Sequence, residues 1–208
     1  NEKEAKIIAD NNEMQIADSA MHFLLLTMEE LKDKGRGAII LPNGPLFKHG
    51  KTDQVKNKLL GEFNLHTIIQ LPDSIFKPRT GISTNILFFE KGTPTKEIWF
   101  YNMPLPQRLA DESKKRKNLS FSQSKPVLDE DFTDVLKWFD KKEENPYAWK
   151  VSVDDLKTTN DKGKIEVNLD IKNPNDVEET IDLSPHELIQ QIISDEKKTL
   201  SLLEDVEN

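Results

Sequence analysis

The stretch Leu65–Glu90 reads LHTIIQLPDSIFKPRTGISTNILFFE. Two near-continuous apolar runs, Leu65–Leu71 and Asn85–Glu90, flank a loop rich in Pro, Gly and hydroxyl residues. Apolar runs bounded by turn formers predict buried strands. The loop between them, residues 72–84, has no helical pattern. The two strands therefore cannot easily be parallel neighbours, because that arrangement needs a crossover connection. An antiparallel pair is expected, set at one end of a parallel sheet. Upstream, Gly35–Phe47 reads GRGAIILPNGPLF, a strand Ala38–Leu41 that stops at Pro-Asn-Gly-Pro. Downstream, Ile98–Asn102 (IWFYN) predicts a fourth strand.

Helical spacing surrounds these strands. Ile16, Ala20, Phe23, Leu24, Thr27, Met28 and Leu31 recur on one face of a predicted helix from Met14 to Lys32. Gly35 closes it, and GRG at 35–37 is read as that helix-ending turn, not a phosphate loop, because it follows a helix and opens a strand. Asp53–Leu60 predicts a shorter helix. The order helix, strand, helix, strand, long loop, strand predicts an α/β sheet covered by helices.

After Pro104 the texture becomes polar, with a basic cluster at Lys114, Lys115, Arg116 and Lys117. Phe132–Phe139 predicts a helix with Val135, Leu136 and Phe139 inward. Trp149–Leu156 (WKVSVDDL) reads as a strand running into a helical turn, and NLDIKNP at 168–174 as extended chain. Ser184-Pro185-His186-Glu187 carries the marks of a helix start. The helix that follows shows Leu188, Ile189, Ile192, Ile193, Leu200 and Leu203. Residues 1–105 are expected to form one region and 106–208 an acidic, mostly helical extension.

The charge follows that division. Residues 1–110 carry 14 Lys/Arg against 13 Asp/Glu, whereas residues 111–208 carry 15 against 24. The second part is therefore a poor phosphate binder, while the first is not excluded from nucleic acid. The 208 residues contain no cysteine, which excludes disulfides, thiolate metal sites and thiol nucleophiles. A reducing cytoplasm is the expected compartment. No apolar run approaches the roughly 20 residues that span a membrane, and none has the pattern of a signal peptide.

Three local patterns carry possible chemistry, each beside a plainer reading. LPNG at 41–44 is a strand end opening into a turn, where α/β folds place ligands, or an ordinary turn. FKPRTGISTN at 76–85 combines an aromatic that can stack on a base with Lys77 and Arg79, which can meet phosphate; alternatively it is a solvated loop. Lys48, Lys51, Lys56 and Lys58 beside His49 form a DNA-steering patch or a solvated face. The histidines at 22, 49, 66 and 186 show no ligand spacing, and no metal site is expected.

Taken in order, GRGAIILPNGPLF, LHTIIQLPDSIFKPRTGISTNILFFEKG, IWFYNM and NLDIKNP resemble the carboxyl-terminal half of the modification subunit of type I restriction-modification systems. The resemblance covers roughly residues 14–175. Such subunits are N6-adenine DNA methyltransferases that use S-adenosylmethionine. The resemblance implies a class I, Rossmann-like methyltransferase sheet with antiparallel last strands. GAIILP would be its fifth strand, LHTIIQLP the sixth and TNILFFE the seventh. It also implies a base-pocket wall in the loop after the sixth strand. Phe76, Lys77, Arg79 and Thr80 are the candidate substrate-binding residues there, with Asn43 and Phe47 at the edge after the fifth strand. DNA, a specificity subunit and a restriction subunit are the implied partners, the specificity subunit meeting the final helix from Pro185 to about Leu203. The family's glycine-rich cofactor loop and its Asn/Asp-Pro-Pro-aromatic motif are not in this sequence. No catalytic or cofactor-binding residue is therefore assigned, and the chain is expected to be a piece of such a subunit, inactive alone. The alternatives are a protein-interaction scaffold and a methyltransferase of RNA or protein.

Overall fold

The computed structural model describes residues 18–110, 120–176 and positions 189, 190, 193, 194 and 196. The basic cluster at 114–117, the helix start at 184–187 and the amino-terminal turn of the first predicted helix lie outside these residues. The chain divides into two compact units, Asn1–Asn175 and Asp176–Asn208.

Five strands form the main sheet of the first unit: β1 (Arg36–Pro42), β2 (Phe63–Gln70), β3 (Thr84–Lys91), β4 (Glu97–Asn102) and β5 (Ala148–Ser152). Their order is β1-β3-β2-β4-β5. β3 runs antiparallel to both β1 and β2, as the loop without a helix requires. β2 pairs parallel with β4, and β5 closes the far side antiparallel to β4. β1, β2 and β4 therefore point the same way, and their carboxyl ends share one edge.

Alternation along the strands sends side chains to two faces. One face carries Leu41, Leu65, Ile68, Leu87, Phe89, Ile98, Phe100 and Trp149, all buried. Helix α1 (Ser19–Glu30) covers it with Met21, Leu24, Leu25 and Met28. Asp18 caps that helix, its Oδ1 accepting from the amides of Ala20 (2.9 Å) and Met21 (3.3 Å). The short helix α2 (Asn43–Phe47) and helix α3 (Lys51–Glu62) complete this layer with Leu46, Val55, Leu59 and Leu60. The opposite face, with Ile69, Ile86, Phe88, Trp99 and Tyr101, meets Val135 and Trp138 of α5 (Thr133–Lys141). The remaining short helix, α4, is Gln107–Ala110.

Gly37 shows why the residue before the apolar run is small. A Cβ there would lie 2.9 Å from the Phe89 ring and 3.1 Å from Leu31 Cδ1, closer than packed carbons tolerate.

Several expectations need correction. α1 ends at Glu30, and Lys34 takes the positive φ (60°) of the following turn in place of a glycine. Phe23, expected inward, is 63% exposed, and the buried stripe is Met21, Leu24, Leu25 and Met28. Leu136 points outward and Trp138 inward, its indole N–H donating to the Glu143 carbonyl at 2.8 Å. The expected boundary near residue 105 does not hold, because β5 is a strand of the main sheet. Trp149 stacks on Phe100 with ring centroids 5.5 Å apart and planes 12° apart. A small hairpin of β6 (Lys157–Thr159) and β7 (Ile165–Val167) then leads into the segment 168–175, and Val167 and Leu169 are in the same core. Beyond its helices, the segment after 105 thus supplies a sheet strand and a hairpin. Among the described residues no helix is long and apolar enough to cross a membrane.

Candidate nucleobase-binding edge

The carboxyl ends of β1 and β2 and the start of β3 are tied together by backbone. The Asn43 amide donates to the Ser83 carbonyl (3.0 Å), and the Leu71 amide to the Thr84 carbonyl (2.9 Å). The loop between β2 and β3 is folded as consecutive turns. Ile75 N–H meets Pro72 O (2.9 Å), Lys77 N–H meets Ser74 O (3.0 Å), and the amides of Arg79 and Thr80 both meet Phe76 O (3.0 and 3.2 Å). The Lys77–Pro78 peptide is cis. The Ser83 hydroxyl donates to Asp73, which fastens the two ends of the loop to each other. The tip is thereby held in shape while its side chains face water. Phe76 is 38% and Ile82 60% exposed, and Lys77 and Arg79 are exposed beside them.

A polar cluster sits under this loop. Asn85 Nδ2 donates to Asn43 Oδ1 at 2.8 Å. Asn43 Nδ2 donates to both carboxylate oxygens of Asp170, at 3.2 and 3.1 Å. Asp170 arrives on the segment after β7, which is pinned by the Leu169 amide on Leu46 O (3.0 Å) and by Gln70 Nε2 on Ile171 O (2.8 Å). Burial pushes the Asp170 carboxyl up; the Asn43 amide opposes this and the nearby Asp73 adds to it.

The structure therefore joins Asn43 to the loop and to the strand ends. Phe76, Lys77, Arg79 and Thr80 share the loop, where Thr80 Oγ1 accepts from the Ile82 amide at 3.2 Å. Phe47, at the end of α2, is 47% exposed and takes no part in the polar cluster. Sequence reading missed Asp170 and Asn85. NLDIKNP held the only signal for Asp170, a lone acid inside an apolar-polar extended stretch. The lysine cluster is corrected more sharply, since Lys56 is fully buried and does not belong to a solvated face. Its place in the stripe Thr52–Val55–Lys56–Leu59 was the available sign.

Lys56 Nζ donates to the carbonyls of Lys48 (2.7 Å), Leu46 (3.3 Å) and Val167, and pairs with Asp53 Oδ1 at 2.9 Å. Asp53 also accepts the amides of Gly50 (2.6 Å) and Val167 (2.9 Å). Burial alone would raise the Asp53 carboxyl. The Val167 amide, the Lys56 ammonium and the Gly50 amide outweigh it and hold the group below the usual carboxylate range. Burial lowers Lys56, with Asp53 working against it. The result is a knot that ties α3 to both the loop after α2 and β7.

A strand-end polar cluster of Asn43, Asn85 and Asp170 thus lies beside a loop that exposes Phe76, Lys77 and Arg79. Residues 2–182 match the sequence model of the N-6 DNA Methylase family, and the chain belongs to that family. It is 46% identical over 186 residues to the type I restriction enzyme EcoEI methylase subunit of Escherichia coli, covering 86% of this chain and 35% of that subunit. It is 36% identical over 90 residues to the EcoKI methylase subunit of Escherichia coli K12, covering 39% of this chain and 17% of that one. Among solved structures, a modification subunit of a putative type I restriction enzyme from Vibrio vulnificus superposes with a TM-score of 0.69 at 38% identity, covering 78% of this chain and 33% of that one. A chain from a structure describing complex assembly and conformational transition of the type I R-M system superposes at 0.62 with 32% identity, covering 89% and 38%. The chain thus spans about a third of the length of the EcoEI subunit and of these two solved chains.

Proposed function

We propose that this chain supplies the target-base edge of an N6-adenine DNA methyltransferase subunit of a type I restriction-modification system. The amino nitrogen of a paired adenine is closed off inside the duplex, so the base must leave the stack before it can react. An aromatic side chain at the rim of the receiving pocket offers a face to the flipped base, and cations beside it meet the backbone. The observation that carries this reading is the turn-locked loop 72–83, which holds Phe76 exposed next to Lys77 and Arg79 at the carboxyl edge of the strands.

S-adenosylmethionine, when bound, supplies the methyl group as an electrophile on sulfur. The residues of this chain do not fit it. None of its eight glycines lies in a glycine-rich turn between a strand and a helix, and the only glycine at such a junction, Gly44, stands alone. In this reading the cofactor and the catalytic polar motif belong to residues beyond this chain. What this chain does is receive the base, orient it and fix the adjoining phosphates, which places the amino group in line for attack. No covalent enzyme intermediate is required, consistent with the absence of cysteine.

The partners in this reading are DNA, a specificity subunit and a restriction subunit. Ile189 and Ile193, the described members of the final apolar stripe, lie one helical turn apart and are 54% and 40% exposed, which favours a protein-binding face.

In the full-length methylase polypeptide that carries this sequence, Phe76→Ala should lower methylation of duplex DNA about tenfold or more, the value of one base–aromatic stack. The fluorescence rise of 2-aminopurine at the target adenine should fall with it. Unchanged methylation and unchanged flipping in that variant would remove Phe76 from the pocket.

A further inference from the structure

We propose that Asp170 is a positioning residue, which fixes the Asn43 amide at the base-binding edge; this rests on the reading of that edge given above. An ionised carboxylate only accepts hydrogen bonds, whereas an amide side chain does both. Asp170 presents both oxygens to Asn43 Nδ2, at 3.2 and 3.1 Å. The Asn43 amide must therefore turn its NH2 group to Asp170 and its carbonyl to Asn85, which donates to it at 2.8 Å. The opposite rotation would set a carbonyl against a carboxylate and an NH2 against an NH2. Asp170 thus sets the polarity of the relay Asp170–Asn43–Asn85. The same polarity commits the fully buried Asn85 to donating, so that its Oδ1 stays an acceptor with no partner among the described residues.

The backbone that carries Asp170 is held on both sides of it. Val167 is gripped through its carbonyl by Lys56 and through its amide by Asp53. Leu169 is buried and bonded to Leu46, and the Ile171 carbonyl is held by Gln70. In extended chain successive side chains point to opposite sides. With 169 in the core, 170 faces Asn43. A segment 127 positions downstream of Asn43 is therefore held at three alternate residues, Val167 by α3, Leu169 by α2 and Ile171 by the end of β2, and this brings Asp170 to Asn43.

The test is a double-mutant cycle in the full-length methylase polypeptide that carries this sequence, using Asp170→Ala, Asn43→Ala and both together. The readouts are 2-aminopurine fluorescence at the target adenine, kcat and KM for DNA, S-adenosylmethionine affinity and the thermal midpoint. Asp170→Ala is expected to lower flipping and kcat about tenfold while cofactor affinity stays within about twofold. The double variant should be no worse than Asn43→Ala, because one residue acts through the other. Asp170→Asn can donate as well as accept, so it no longer forces that polarity, and it is expected to lower flipping and kcat severalfold while cofactor affinity holds.

Additive losses in the double variant would overturn the proposal. So would flipping and kcat within about twofold of wild type in Asp170→Ala. Should Asp170→Ala fail to fold, flipping and kcat within about twofold of wild type in folded Asp170→Asn overturn it equally. If Asn43→Ala alone is defective while Asp170→Ala is silent, only the role of Asp170 falls. If both are silent, the base-binding edge falls with it.

Discussion

Asp53→Ala should destabilise the fold by about 3–5 kcal/mol, the cost of leaving a buried charge without its partner. Lys56 is 0% exposed, and three of its four acceptors are backbone carbonyls that carry no full charge. Once the carboxylate is gone, the ammonium must either stay charged in a dry site or give up its proton, and both are costly. The amides of Gly50 and Val167 lose their acceptor in the same step. For a domain of this size the loss corresponds to a fall in thermal midpoint of roughly 10 °C. Replacing both residues, Asp53→Ala with Lys56→Met, removes the two charges together and substitutes an apolar stem of similar length. The double variant should therefore be more stable than Asp53→Ala alone. Urea unfolding of wild type, Asp53→Ala, Lys56→Met and the double variant measures this. Single losses below about 1 kcal/mol that simply add would show that the knot is a surface-grade pair.

The second large effect is on acid stability, and it centres on His66. The imidazole lies at the β-bulge of β2, beside the rings of Phe88 and Phe139. Its Nδ1 is 2.8 Å from Thr67 Oγ1 and 3.0 Å from Lys142 Nζ. An ammonium can only donate, so Nδ1 is an acceptor and the ring is neutral. Burial, then the charges of Lys142 and Arg36, depress its pKa from 6.5 to about 4. Below pH 6.5 the unfolded chain binds a proton here that the folded chain refuses. Stability is thus fully present above 6.5 and is lost as pH falls towards 4. The loss amounts to about 3 kcal/mol by pH 4.

His66→Asn keeps an acceptor for Lys142 and removes this titration, so its stability should fall by about 3 kcal/mol less than that of wild type across that window. Asp53, held low, contributes only further down: its share is present above the ordinary carboxylate value and is lost as pH falls through its depressed one. Denaturant midpoints at intervals between pH 7 and pH 4 separate the two groups. An equal slope in wild type and His66→Asn would remove His66 as the cause.

Much of the sheet was legible because β2 and β3 carry apolar residues towards both faces. Ile68-Ile69 and Leu87-Phe88-Phe89 leave no other reading than strand, and the absence of a helix in the loop 72–83 dictated the antiparallel turn-back of β3. β5 was recognisable as a strand in WKVSV, but its partner was not, because pairing with β4 rests on the Trp149–Phe100 stack across some fifty residues of polar chain. The acidic composition of that region pointed to a separate extension and masked the pairing. On α5, apolar residues at 132, 135, 136, 138 and 139 fill more than one stripe, so periodicity could not decide between Leu136 and Trp138. At the candidate site Asn43 and the loop stood out by their turn chemistry. Asp170 did not, because its meaning depends on a contact across 127 positions. Lys56 ran against expectation because a charged side chain in an apolar stripe is ordinarily a snorkelling one, and only the carbonyls of Leu46, Lys48 and Val167 make its burial tolerable.

The claim that this chain is the base-receiving part of an adenine methyltransferase is tested most directly on the product. The full-length polypeptide carrying this sequence, assembled with its specificity subunit, would be incubated with duplex DNA and S-adenosylmethionine. The DNA would then be digested to nucleosides and examined by mass spectrometry. N6-methyladenine, absent when S-adenosylmethionine is omitted, is the predicted result. Methyl groups on cytosine, RNA or protein, with none on adenine, would contradict it.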